Sequence, residues 1–124
     1  MILSPSILLV DDSRVSRMLA AGFIRERLPN ASIQEAPDGM TALNMMMKHT
    51  PDLAILDMNM PGLTGLEVAE TALQDYPDIR LAILTANVQT STREKAERLG
   101  IRFFGKPINE KVIGQILEIF GETA

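Results

Sequence analysis

The sequence predicts a doubly wound α/β fold: one sheet of five parallel strands with five helices distributed over its two faces. Three observations predict it. Short apolar runs at residues 7–10, 53–56, 81–84 and 101–104 are of strand length, too short for core helices. Helical spacings separate these runs, which is the alternation that builds βαβ crossovers and a parallel sheet. Each run also leads into polar residues: Asp11 and Asp12, Asp57, Thr85, and Lys106 after Gly105. Parallel strands would bring all of these to one edge of the sheet, where open α/β sheets bind their ligands.

The first run, β1 at 7–10, is followed by Asp12 and Ser13 as caps for a helix α1 reaching about residue 28. Val15, Met18, Leu19, Phe23 and Ile24 form its expected inward side. Pro29 and Asn30 punctuate, and 32–36 reads as a short second strand, β2. Asp38 caps α2, a helix of about ten residues with Met40, Leu43, Met46 and Met47 as expected inward positions. Thr50, Pro51 and Asp52 break it before β3 at 53–56. Asn59, Met60, Pro61 and Gly62 form a loop, and Gly65 turns the chain into α3, which continues to Tyr76. Pro77 and Asp78 reset the chain for β4 at 81–84. The polar stretch 88–99 makes α4, stopped by Gly100, and β5 follows at 101–104. Asn109 caps α5, where Val112, Ile113, Ile116, Leu117, Ile119 and Phe120 span an arc of about 160°. That is wider than one core-facing stripe needs, so an exposed part would suit a partner or dimer contact.

With 124 residues the chain is expected to form one domain over 1–124, without linker, repeat or low-complexity segment. Its 46% apolar and 23% charged content is ordinary for a globular protein. No cysteine is present, which excludes disulfides, thiolate catalysis and cysteine-ligated zinc. A net charge of −4 with no basic stripe gives no reason to bind nucleic acid. The first six residues lack the basic flank and apolar stretch of a signal peptide. No run approaches the roughly 20 residues a bilayer demands, so a cytoplasmic location is expected.

Asp11, Asp12 and Asp57 repel one another and call for a cation. Few carboxylates with room for water and phosphate oxygens suit Mg²⁺ better than Ca²⁺. A cation there also neutralises an incoming phosphoryl group. A carboxylate can itself attack phosphorus, and Asp57, alone at a central strand end, is the best nucleophile. Asp11 and Asp12 are the better metal holders. Thr85 can donate to one phosphoryl oxygen, and Lys106 can pair with another as a point charge.

These residues resemble the receiver domains of two-component response regulators, the CheY-like domains. The resemblance rests on Asp11-Asp12-Ser13, Asp38-Gly39 with Ala42-Leu43, and Asp57 with Met60-Pro61-Gly62 and Gly65. Thr85-Ala86 and Lys106-Pro107 complete it, in order and over nearly the whole chain. It implies the flavodoxin-like (βα)5 strand order 2-1-3-4-5. It implies that Asp57 accepts a phosphoryl group from a sensor histidine kinase or phosphotransfer protein. Asp12, Asp57 and the Asn59 backbone carbonyl would ligate Mg²⁺, with Asp11 acting mainly through water, and the Lys106–Pro107 bond would be cis. Thr85 and Phe103 would be the switch residues that remodel the α4-β5-α5 surface for a downstream protein. Phe103 lacks the hydroxyl of the tyrosine often found there. Asn59 and Asn87 stand where the family tunes phosphoryl lifetime. The implied protein is a signalling module and not an enzyme, limited to Mg²⁺-dependent self-phosphorylation and slow self-dephosphorylation. It would be a monomer or weak homodimer. The tail Gly121-Glu122-Thr123-Ala124 is read as the end of a stand-alone receiver, although one cut from a larger regulator would read alike.

Three bland readings accompany these. His49 is expected as a solvated helix end, the run Met45-Met46-Met47 as part core and part exposed, filling core before forming a partner groove, and Arg93, Glu94, Lys95, Glu97 and Arg98 as a solvated face. Two other functions meet obstacles in the sequence. A phosphatase of the haloacid dehalogenase type needs a second acid two positions after its nucleophile, where Asn59 stands. A nucleotide or flavin site needs glycines in the first turn, where Asp11-Asp12-Ser13-Arg14 stands.

Overall fold

The structure is a computed structural model and describes residues 4–121. The readings made on residues 1–3 and 122–124 lie outside the described residues. In chain order the elements are β1 (Ser6–Val10), α1 (Arg14–Arg27), β2 (Ser32–Ala36), α2 (Gly39–Lys48), β3 (Leu53–Leu56), α3 (Gly65–Asp75), β4 (Arg80–Thr85), α4 (Thr90–Arg98), β5 (Arg102–Gly105) and α5 (Glu110–Leu117). A 3-10 turn, Glu118–Phe120, follows. The five strands are all parallel, in the order β2-β1-β3-β4-β5. This is the expected fold.

Alternation along the strands divides the core in two. Leu8, Val10, Ala54, Leu56, Leu81 and Ile83 face one side, packed with Met46 of α2, Val68 of α3 and Ala96 of α4. Ile7, Leu9, Leu53, Ile55, Ala82 and Leu84 face the other, packed with Ile24 of α1 and Ile113 and Ile116 of α5.

Local chemistry sets the helix starts. Ser13, Asp38 and Asn109 cap α1, α2 and α5 by accepting from Ser16, Thr41 and Val112 backbone N–H groups. Thr64 and Glu67 make a reciprocal capping box on α3. Such a cap is worth about 1 kcal/mol. The Thr41 backbone N–H also holds the Asp38 carboxyl below its usual range.

The ends differ by a residue or two from expectation, most instructively at β5. Gly100 has φ +77°, its N–H bonds the carbonyl of Glu97, and the Ile101 N–H bonds back to Ala96. This closing motif, with Ile101 packed against Ala96, claims Ile101 for the end of α4, so β5 begins one residue later.

The helix faces depart further. Val15, Met18 and Leu19 on α1 are 66%, 59% and 48% exposed, and the buried residues of that helix are Ala20, Ala21 and Ile24. Met40 and Met47 on α2 are exposed as well, while Met46 is buried and Leu43 and Met45 pack partly against the core. Small residues let both helices lie close to the sheet, which leaves the larger apolar side chains beyond the contact. Along α5 and the 3-10 turn that carries Ile119 and Phe120 the reverse holds. Ile113, Ile116 and Leu117 are buried, Val112, Ile119 and Phe120 are half-buried, and the Arg80 guanidinium covers the Phe120 ring. Every residue of that arc is at least half-buried, so the arc holds no exposed part of the kind that would suit a partner.

Position 65 admits only glycine. A Cβ there would collide with the backbone carbonyl oxygen of Asp57, so the start of α3 lies directly against the end of β3. Among the described residues no helix is long and apolar enough to cross a membrane.

Candidate functional site

Strand register assembles the site. Val10 pairs with Leu56, so Asp11 and Asp57 leave the sheet side by side. The bond from Asp57 N–H to the Val10 carbonyl extends that ladder by one step. Thr85 pairs with Gly105, and the Lys106 N–H bonds the Thr85 carbonyl, which delivers Lys106 to the same edge. One oxygen from each of Asp11, Asp12 and Asp57 lies within 4.8 Å of the others. Asp11 and Asp57 are buried, and Asp12 is exposed.

The Lys106 ammonium lies 3.0 Å from Asp11 Oδ2 and 3.5 Å from Asp57 Oδ2. It also donates to Ser16 Oγ at 3.3 Å. Burial alone pulls this lysine down. The hydrogen bond to Asp11 and the charges of Asp57 and Asp11 outweigh that, so its pKa is raised. The Lys106–Pro107 bond is cis, as the resemblance implies.

Asp11 is held at every polar atom. Its N–H donates to the Ala36 carbonyl, its carbonyl accepts from Arg17 Nη1 at 2.7 Å, and Oδ1 accepts from the Ser13 N–H at 2.9 Å. Oδ2 takes Lys106. Arg17 is in turn fixed by Glu35, 2.8 Å from its Nε. The donor set fits a hard divalent cation: three carboxylates meet one ammonium, all ligand atoms are oxygen, and one acid faces solvent.

Asn59 sits at the mouth of the site. Its N–H points at Asp57 Oδ1 at 3.4 Å, and its side-chain oxygen accepts from Asn87 Nδ2 at 3.2 Å. Asn87 N–H donates to Thr85 Oγ1 at 3.1 Å. Thr85 is fully buried, and its hydroxyl engages this loop and makes no hydrogen bond with Asp57 or Lys106. Phe103 is half-buried against the α2–α4 side of the core, with the Arg93 guanidinium 5.1 Å from its ring centroid. Arg93 therefore does more than solvate the face of α4.

The structure thus gathers Asp11, Asp12, Asp57 and Lys106, sets Asn59 beside them, and keeps Thr85 and Phe103 in a second layer. Sequence reasoning missed Ser16, Arg17 and the place of Arg93. A serine and an arginine as the third and fourth residues of α1 carry no motif. The Arg93 contact joins helix to strand and leaves no local trace. His49 is the exposed C-terminal cap of α2, away from this chemistry.

Comparison with known proteins gives concordant findings. The family profile described as the response regulator receiver domain matches residues 7–118. Protein-glutamate methylesterase/protein-glutamine glutaminase 3 of Vibrio cholerae is 33% identical over 115 residues, 91% of this chain and 32% of that protein. Sporulation initiation phosphotransferase F of Bacillus subtilis is 31% identical over 110 residues, 86% of each chain. The response regulator TrrA of Thermotoga maritima, solved in complex with Mg²⁺ and BeF, has a TM-score of 0.81 at 28% identity, covering 93% of this chain and 97% of that one. The chain spans about a third of the length of the first two curated relatives it matches, 32% and 39%.

Proposed function

The chain belongs to the response regulator receiver domain family, a family of phosphorylation-based signalling modules, and on that premise we propose that Asp57 is its phosphoacceptor. One observation carries the proposal. Of the two buried carboxylates in the acid cluster that meet the Lys106 ammonium, Asp57 is the one that stands at the end of the middle strand of the sheet, on β3.

In the proposed reaction an ionised oxygen of Asp57 attacks the phosphorus of a phosphohistidine. The O–P bond forms as the P–N bond breaks, and the imidazole leaves with the electron pair and takes a proton from solvent. Lys106 pairs with a phosphoryl oxygen, and Asp11 and Asp12 with Asp57 and the Asn59 carbonyl would hold the cation. Receiver domains bind Mg²⁺ at such an acidic pocket, where it supplies charge neutralisation and in-line orientation. The complex of TrrA with Mg²⁺ and BeF supports the same pairing here.

Thr85 is proposed to leave Asn87 and donate to the phosphoryl group, with Phe103 moving behind it. The change at α4-β5-α5 is then read by a downstream protein, and residues 1–124 act as one receiver module whose output is protein contact. The donor is a sensor histidine kinase or phosphotransfer protein, in the cytoplasm where ATP feeds such donors. The module carries no turnover beyond its own phosphorylation and slow hydrolysis.

Acetyl phosphate with Mg²⁺ tests the proposal by intact-mass measurement. One phosphoryl group is expected on the native chain and none on Asp57→Asn. Undiminished modification of that variant overturns Asp57 as acceptor.

A further inference from the structure

We propose that Ser16, on the first turn of α1, is a positioning residue that holds Lys106 over Asp57. This rests on the reading of Asp57 as acceptor. An ammonium has three N–H groups. Lys106 meets three side-chain oxygens: Asp11 Oδ2 at 3.0 Å, Ser16 Oγ at 3.3 Å and Asp57 Oδ2 at 3.5 Å.

Two of these are carboxylates whose charge changes in use. Cation binding draws on both, and phosphorylation converts Asp57 to an acyl phosphate. Ser16 alone offers the same neutral oxygen before and after. Without it, the shorter contact to Asp11 wins, and the ammonium drifts away from the atom that must receive phosphorus.

The hydroxyl is itself well placed to act as a fixed point. Ser16 N–H donates to Ser13 Oγ at 3.2 Å, and Ser13 N–H donates to Asp11 Oδ1 at 2.9 Å. The first turn of α1 therefore hangs from the same acid that Lys106 touches. Misplacing a charged group by a fraction of its hydrogen-bond length is enough to slow a transfer that depends on alignment.

The decisive comparison is between two variants of equal shape. Ser16→Val lacks the hydroxyl and Ser16→Thr keeps it, and both are β-branched, so they burden α1 alike. With acetyl phosphate and Mg²⁺, Ser16→Val is expected to phosphorylate about fivefold more slowly than the native chain, the worth of one ordinary hydrogen bond. Ser16→Thr is expected to restore the native rate. In a Lys106→Met background the two variants should be indistinguishable, since the hydroxyl then has no ammonium to hold.

Equal rates for Val and Thr in the native background overturn the inference, as does a Val deficit of the same size without Lys106. A native chain that takes up no phosphoryl group from acetyl phosphate overturns the acceptor reading, and this inference with it.

Discussion

Strand β3 is flanked by two aspartates, Asp52 before Leu53 and Asp57 after Leu56, and their surroundings differ in kind. Asp52 faces neutral donors. Its Oδ2 accepts from the Ser6 N–H at 2.8 Å and from the Ser6 hydroxyl at 3.4 Å, and its own N–H reaches Ser6 Oγ at 3.1 Å. This closed exchange ties the start of β3 to the start of β1. Asp57 faces two other carboxylates and a single lysine. One residue type, flanking one four-residue strand, is a clamp at one end and the proposed acceptor at the other. Position along the strand decides between them. The amino ends meet backbone and hydroxyl, while the carboxyl ends of β1 and β3 converge three acids.

Four measurements put that contrast to the test. The largest effect is on phosphorylation itself: Asp57→Asn is expected to abolish uptake from acetyl phosphate, while Asp52→Ala retains the native rate. Loss in both variants would erase the distinction between the two ends. Next is the cation. At a hundredfold excess over its dissociation constant, Mg²⁺ is expected to stabilise the native chain by about 2.7 kcal/mol. Calorimetry should find that gain kept in Asp52→Ala and largely lost in Asp12→Ala.

Third comes the clamp. Asp52→Ala leaves the Ser6 N–H without its carboxylate and is expected to cost about 1–2 kcal/mol of stability in urea titration. The smallest effect is on pH dependence. Lys106 has a raised pKa, so its contribution is full below the ordinary lysine value of 10.5 and fades as pH rises through its higher folded value. Alkaline melting curves of the native chain should fall in that window more steeply than those of Lys106→Met.

Much of this was legible in the sequence because it is local. The strand runs, the caps Ser13, Asp38 and Asn109, the glycine stop at 100 and the acids at the strand ends each depend on neighbours within a few residues. Level strand ends then follow from parallel pairing, which is why Asp11, Asp12, Asp57 and Lys106 were found together. Helix faces were less legible. Val15, Met18, Leu19, Met40 and Met47 fit an inward arc by spacing. Which part of an apolar arc touches the sheet depends on how closely the helix approaches, and Ala20, Ala21 and Ala42 set that distance. Ser16 and Arg93 were not legible either, since their partners Lys106 and Phe103 lie on other elements. Spacing also cannot tell which way a buried hydroxyl turns, and Thr85 turns to Asn87.

Position 65 has a consequence for genetics. It carries no functional group, yet the collision of any Cβ with the Asp57 carbonyl makes every replacement there a displacement of the proposed acceptor's peptide unit. A mutational screen scored on loss of signal should recover codon 65 beside codon 57. Those alleles would mimic a chemical lesion while leaving every reactive atom in the chain intact.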